Sequence, residues 1–174
     1  MVSAELQIRK NRKREDYPFM IKCQTRWADN DNFAHLNNAV YLQLIDTVVN
    51  CYLLKHAGVN PFLAREAQGM VNTSPPQVFF VANVYCDYFA SVSFPDILDL
   101  GLRVIKIGNS SVTYEAAIFK EGDEKVKMVG GYTHVFVDKM TQRPVKEGMH
   151  PQFRKALEVI NLGLEGKNTV KAKL

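Results

Sequence analysis

The apolar residues Val40, Tyr41, Leu44, Ile45, Val48, Val49, Tyr52 and Leu53 recur every three to four positions, a spacing that reads as a helix buried on most of its faces. Asn37 or Asn38 supplies the cap and Gly58 the stop. Immediately ahead of this helix, the stretch Arg26 to Tyr41 places Asp29, Asp31, His35 and the amides of Asn30, Asn32, Asn37 and Asn38 in a turn. A helix start carries free N–H groups and the positive end of the helix dipole, so it suits an anion or a developing oxyanion. A carboxylate a few residues upstream is placed to attack a carbonyl held on those amides, or to activate water that does so.

The rest of the chain reads as strands. Residues 19 to 27 begin with an apolar run and settle into alternation, a first strand delivering the turn. Residues 58 to 76 carry Gly58, Pro61, Gly69, Pro75 and Pro76 and read as a loop with a short helix around Phe62 to Gln68. Four strand-like segments follow, Val78 to Phe89, Asp96 to Ile107, Val112 to Lys120 and Val126 to Val137, with a tight turn at Gly122-Asp123. An antiparallel meander is the expected pairing. After Pro151, residues 151 to 163 read as an amphipathic helix with Phe153, Leu157, Ile160 and Leu164 on one side. Pattern alone supports an α+β class.

At 174 residues with 47% apolar and 23% charged content, the chain reads as one globular domain. The net charge of +4 is concentrated in Arg9, Lys10, Arg12, Lys13 and Arg14 and in Lys167, Lys171 and Lys173. The middle is near neutral, which argues against a nucleic-acid-binding body, and residues 1 to 18 read as a basic, solvated tail. Cys23, Cys51 and Cys86 are odd in number and widely spaced, as free thiols in a reducing compartment are. Residues 1 to 18 hold no apolar core of a signal peptide, and no stretch approaches the roughly 18 apolar residues of a membrane span. A calcium loop at Asp29 fails because its sixth residue is Ala34 and its twelfth Val40. No G-x-S-x-G elbow, phosphate loop or paired-His metal motif is present.

The block Arg26, Trp27, Asp29, Asp31, His35, Asn37, Asn38, Tyr41 falls in register with R-W-x-D-x-D-x-x-G-H-V-N-N-x-x-Y, with Ala34 at the usual glycine. It resembles the signature of hotdog-fold acyl-CoA thioesterases of the hydroxybenzoyl-CoA thioesterase-like family. The resemblance covers roughly residues 19 to 145 and leaves out a basic N-terminal tail (1–18) and a C-terminal helix with basic tail (146–174). It implies a curved antiparallel sheet of about five strands wrapped around one long helix, and active sites shared in a homodimer or homotetramer. No metal or other cofactor is implied; the CoA thioester is the substrate.

The resemblance makes Asp31 the catalytic base or nucleophile, against the plainer reading of a turn carboxylate that satisfies backbone N–H groups. Asp29 reads as a brace for Arg26 or the turn. His35 binds the thioester carbonyl, holds a water, orients Asp31, or is a structural turn group. The Asn38 amide, or one beside it, is the oxyanion donor. Asn37 caps, and Tyr41 forms acyl-pocket wall or core. For the CoA phosphates, Asn109, Ser110 and Ser111 offer donors, and Arg103, Lys106 and Arg143 offer charge. The implied activity is hydrolysis of an acyl-CoA to free acid and CoA. The rivals are a non-catalytic acyl-CoA or acyl-carrier binding module on the same fold, and a hotdog dehydratase, for which no second His and acid cluster is visible. The expected location is cytoplasmic, or peroxisomal in a eukaryote, because Ala172-Lys173-Leu174 resembles a C-terminal Ser-Lys-Leu address.

Overall fold

The computed structural model of the chain describes residues 3–58 and 77–163. The predicted loop and short helix at Phe62 to Gln68, Leu164, the C-terminal lysines and Ala172-Lys173-Leu174 lie outside the described residues. In chain order the elements are α1 (Ala4–Lys10), β1 (Phe19–Gln24), α2 (Asn38–His56), β2 (Gln77–Tyr88), β3 (Ile97–Ile107), β4 (Ser111–Lys120), β5 (Val126–Asp138) and α3 (Pro151–Val159). Among the described residues no helix is long and apolar enough to cross a membrane.

Helix α2 forms where the periodicity places it. Asn37 is the N-cap, its side chain accepting from Ala39 N–H at 2.9 Å. Ala57 is the C-cap, and Gly58 follows in the left-handed region at φ 63°, which stops the helix. Tyr41, Leu44, Ile45, Val48, Val49, Tyr52 and Leu53 are all buried, each contributing roughly 1.5–3 kcal/mol through burial. They pack on the inner face of a curved five-stranded antiparallel sheet through Leu98, Leu100, Leu102, Tyr114, Ile118, Tyr132 and Phe136. This is the hotdog arrangement.

The strand order β1-β3-β4-β5-β2 corrects the expected meander. Only β3, β4 and β5 follow one another through hairpins; β2 pairs with β5 and forms one edge, and β1 forms the other. The β2–β3 connection does not turn back as a hairpin because it is captured beneath the start of α2, where Val92 is buried and its carbonyl accepts Leu36 N–H at 2.8 Å. Strand β1 ends at Gln24 rather than at residue 27, since Trp27–Asp29 wind into a short 3-10 turn around the Asp29 carboxylate. The C-terminal helix ends at Val159 and is capped by the His150 side chain, which accepts from Gln152 N–H.

The basic N-terminal run is not a solvated tail. Residues 3–18 cross the outer face of the sheet as a strap, each of three arginines meeting a carboxylate. Arg9 reaches Asp87 of β2 at 2.6 Å, Arg12 reaches Glu115 of β4 at 3.0 Å, and Arg14 reaches Asp99 of β3 at 3.1 Å. Arg103 joins Glu115 from below at 2.9 Å, and the Tyr17 hydroxyl donates to the same carboxylate at 3.1 Å. Tyr17 seats its ring over Gly101, where a Cβ would stand 2.7 Å from it, and packs with Ala117, Phe119, Val126 and Val129 in a second apolar cluster. Charge count alone suggested solvation; the long-range carboxylates reverse it.

Candidate active site

The turn ahead of α2 is held by its own acidic residues. Asp29 accepts from Arg26 N–H at 2.7 Å with one oxygen and from the Arg26 guanidinium at 2.7 and 3.0 Å with the other. Its carbonyl accepts Asn37 N–H at 2.8 Å, tying the brace to the helix cap. The Arg26 side-chain bonds hold the Asp29 carboxyl below its ordinary pKa, which makes it a weaker base. Asp29 is thus the bracing residue expected.

Asp31 sits at the mouth of the next loop. Its N–H donates to His35 O at 2.8 Å, and its Oδ1 accepts from Phe33 N–H at 2.8 Å and His35 N–H at 3.3 Å. This loop requires φ 60° at Ala34, a left-handed conformation that glycine adopts without the Cβ clash. Ala34→Gly is therefore expected to raise stability by about 1 kcal/mol, read as a higher denaturation midpoint at unchanged slope; a loss of stability would show that the loop gains nothing from relief at this position.

The Asp31 Oδ2 and the His35 imidazole have no hydrogen-bond partner among the described residues. Neither does the Asn38 N–H, the first of α2. Asp31, His35, Asn38 and Tyr41 together line one cavity of about 320 Å³. Its remaining wall comes from Leu36 and from the end of β2 and the turn after it, Tyr88, Phe89, Ala90 and Ser91. The Tyr88 ring stands edge-on to Tyr41 at 5.1 Å, and its hydroxyl donates to Asn38 O at 3.5 Å. Burial raises the Tyr41 hydroxyl above its ordinary pKa, so it stays protonated. The Tyr88 to Ser91 wall reaches the site through the β2–β5 pairing.

Other expected residues stand elsewhere. Asn37 acts as the cap and does not line the cavity. Asn109 and Ser110 form the β3–β4 turn and Ser111 opens β4; Asn109 O accepts from Met149 N–H and Ser110 O from Phe136 N–H, both at 2.7 Å. Arg143 lies beyond β5, its carbonyl accepting Asp138 N–H at 2.9 Å. That turn is at the opposite end of β3 from the cavity, a strand of 11 residues and so about 33 Å long at strand rise, and none of these four lines the cavity. Arg103 is fully buried on the Glu115 carboxylate and offers no charge to a ligand. Burial raises the Cys23 and Cys86 thiols above their ordinary pKa, which leaves them poor nucleophiles.

The cavity is walled by a turn carboxylate and a helix-start amide without a partner among the described residues, on a sheet wrapped round that helix in the hotdog arrangement. Residues 33–127 match the thioesterase superfamily, and the chain belongs to that superfamily. The PA5185 protein of Pseudomonas aeruginosa is 37% identical, with 86% of this chain and 95% of that one covered at a TM-score of 0.75. The fold is shared with Slr0204, a 1,4-dihydroxy-2-naphthoyl-CoA thioesterase from Synechocystis, at 13% identity, 80% and 94% coverage and TM-score 0.67. It is shared too with a thioesterase complexed with coenzyme A and Zn from Thermus thermophilus, at 22% identity, 81% and 98% coverage and TM-score 0.63. No curated protein matches the chain.

Proposed function

We propose that this chain hydrolyses an acyl-CoA thioester to the free acid and CoA. The observation that carries the reading is the cavity in which Asp31, a carboxylate with one oxygen unengaged among the described residues, shares a wall with the Asn38 N–H, likewise unengaged among them. The thioester carbonyl oxygen lies on that N–H at the positive end of α2. Asp31 takes a proton from water as the water oxygen bonds to the carbonyl carbon, and the C–S bond then breaks, releasing the CoA thiolate, which is reprotonated. Alternatively Asp31 attacks the carbonyl carbon directly, the C–S bond breaks to release the CoA thiolate, and water hydrolyses the resulting anhydride to the free acid and the Asp31 carboxylate. His35 on the same wall hydrogen-bonds the water or the carbonyl. Tyr41 and Tyr88 enclose the acyl group. Neither route needs a metal or redox cofactor. CoA as the carrier is supported by the coenzyme A bound to the Thermus thermophilus thioesterase.

The Oδ1 bonds of Asp31 to two backbone amides also suit a non-catalytic acyl-CoA or acyl-carrier binding module, which would keep the pocket and lose turnover. An acyl-CoA panel with a thiol-reactive reporter separates the two. CoA release is the expected result, and binding without release would leave the module. The working unit is a homodimer: among the described residues β2 has no partner on its outer edge and exposes Phe80, Val81 and Val84 by 47–53%, an edge that a second copy covers by strand pairing. Light scattering should give a dimer or its multiple, and a monomer at micromolar concentration would remove the shared-edge assembly.

A further inference from the structure

The last turn of β2 is gripped from both faces of the sheet. On the inner face Tyr88 meets Tyr41 and the Asn38 carbonyl. On the outer face, Tyr85 and Asp87, one residue out of phase with Tyr88, meet the strap. Arg9 donates to Asp87 Oδ2 at 2.6 Å, its guanidinium lies 4.3 Å over the Tyr85 ring, and Glu5 on the preceding turn of α1 closes the other side of the guanidinium. The Arg9 side chain is 19% exposed and that of Asp87 26%, so the pair is partly withdrawn from solvent and less screened than a surface pair. Beyond Tyr88, Phe89 and Ala90 leave the strand with both N–H groups on one acceptor, Lys127 O, at 2.9 and 3.1 Å. Among the described residues of one protomer, β5 is the strand that holds β2 by backbone bonds, and the outer-face contact adds a second hold at its last residues.

We propose that Arg9 is a positioning residue for the cavity: through Asp87 and Tyr85 it fixes the end of β2, and thereby the Tyr88 to Ser91 wall against which the acyl group lies. The inference rests on the thioesterase reading of that cavity. It assigns the N-terminal strap, which lies outside the superfamily match of residues 33–127, a part in substrate binding with no contact to substrate.

Arg9→Ala is expected to raise KM for the best acyl-CoA roughly 3- to 10-fold, the scale of a partly buried ion pair with a stacked guanidinium, with kcat within about twofold. Arg9→Lys keeps the charge over Tyr85 and should recover much of the loss. Arg14→Ala removes the ion pair on the β3 side of the strap together with two bonds to the Asp123 and Lys120 carbonyls and should lower the denaturation midpoint at least as much while leaving KM unchanged. Hydrogen exchange on the substrate-free protein gives a readout independent of turnover: Arg9→Ala should speed exchange at Phe89 and Ala90, and Arg14→Ala should not. Equal KM changes in the two alanine variants, or unaltered exchange at Phe89 and Ala90 in Arg9→Ala, would overturn the assignment. If the wild type releases no CoA from any thioester, the thioesterase reading fails, and the exchange comparison alone decides whether Arg9 positions the wall.

Discussion

Asp31→Asn loses turnover by roughly 10²- to 10⁴-fold, the range for removing a positioned base, and more if Asp31 is the nucleophile. The variant should still fold and bind acyl-CoA. Its amide oxygen can take over both bonds that Oδ1 now accepts from Phe33 and His35, so the loop survives while the second position can no longer take a proton. Asp29→Asn tests the opposite arrangement. Asp29 is buried beneath Arg26 and joined to the helix cap, so its loss should lower the denaturation midpoint more than kcat. Stopped-assay kinetics with a saturating acyl-CoA, beside denaturation curves for both variants, orders the two effects. Retained turnover in Asp31→Asn with loss in Asp29→Asn would exchange their roles; retention in both would bring the binding module forward.

Glu115→Gln should cost about 3–5 kcal/mol of stability, the range for stripping one partner from a buried ion network. Glu115 is 2% exposed and Arg103 0%, and Arg12 reaches the same carboxylate from the strap. The amide preserves size and the Tyr17 hydrogen bond but leaves two guanidinium groups without the charge they share. Urea denaturation reads the effect directly, and a loss below about 1 kcal/mol would mean that water enters beneath the strap and screens these groups.

Helix α2 and its cap were legible in sequence because both depend on neighbours within a few positions: apolar spacing, an Asn ahead and a Gly behind. The Asp31 loop was legible through its motif, and the departure at Ala34 marked the residue that takes φ 60°. The strand segments were legible as strands, yet their order was not. Nothing near residue 90 says that the chain will pass beneath Leu36 instead of turning back. The strap was misread for the same reason. Arg9, Arg12 and Arg14 look like solvated charge until Asp87, Glu115 and Asp99 arrive, 78, 103 and 85 residues away. The Tyr88 to Ser91 wall, too, is made by tertiary pairing.

Those separations also set an order of events during synthesis. Arg12 emerges 103 residues before Glu115, a gap of roughly 5–20 s at about 5–20 residues per second. Contacts of such sequence distance close late, since their loop entropy is met only when the intervening chain is already ordered. Helix α2 and the β3–β4–β5 hairpins can therefore form while the strap is still loose, with Arg103 and Glu115 open to water. Docking of residues 3–18 is the step that shuts these charges in, and it completes the outer face of the sheet last.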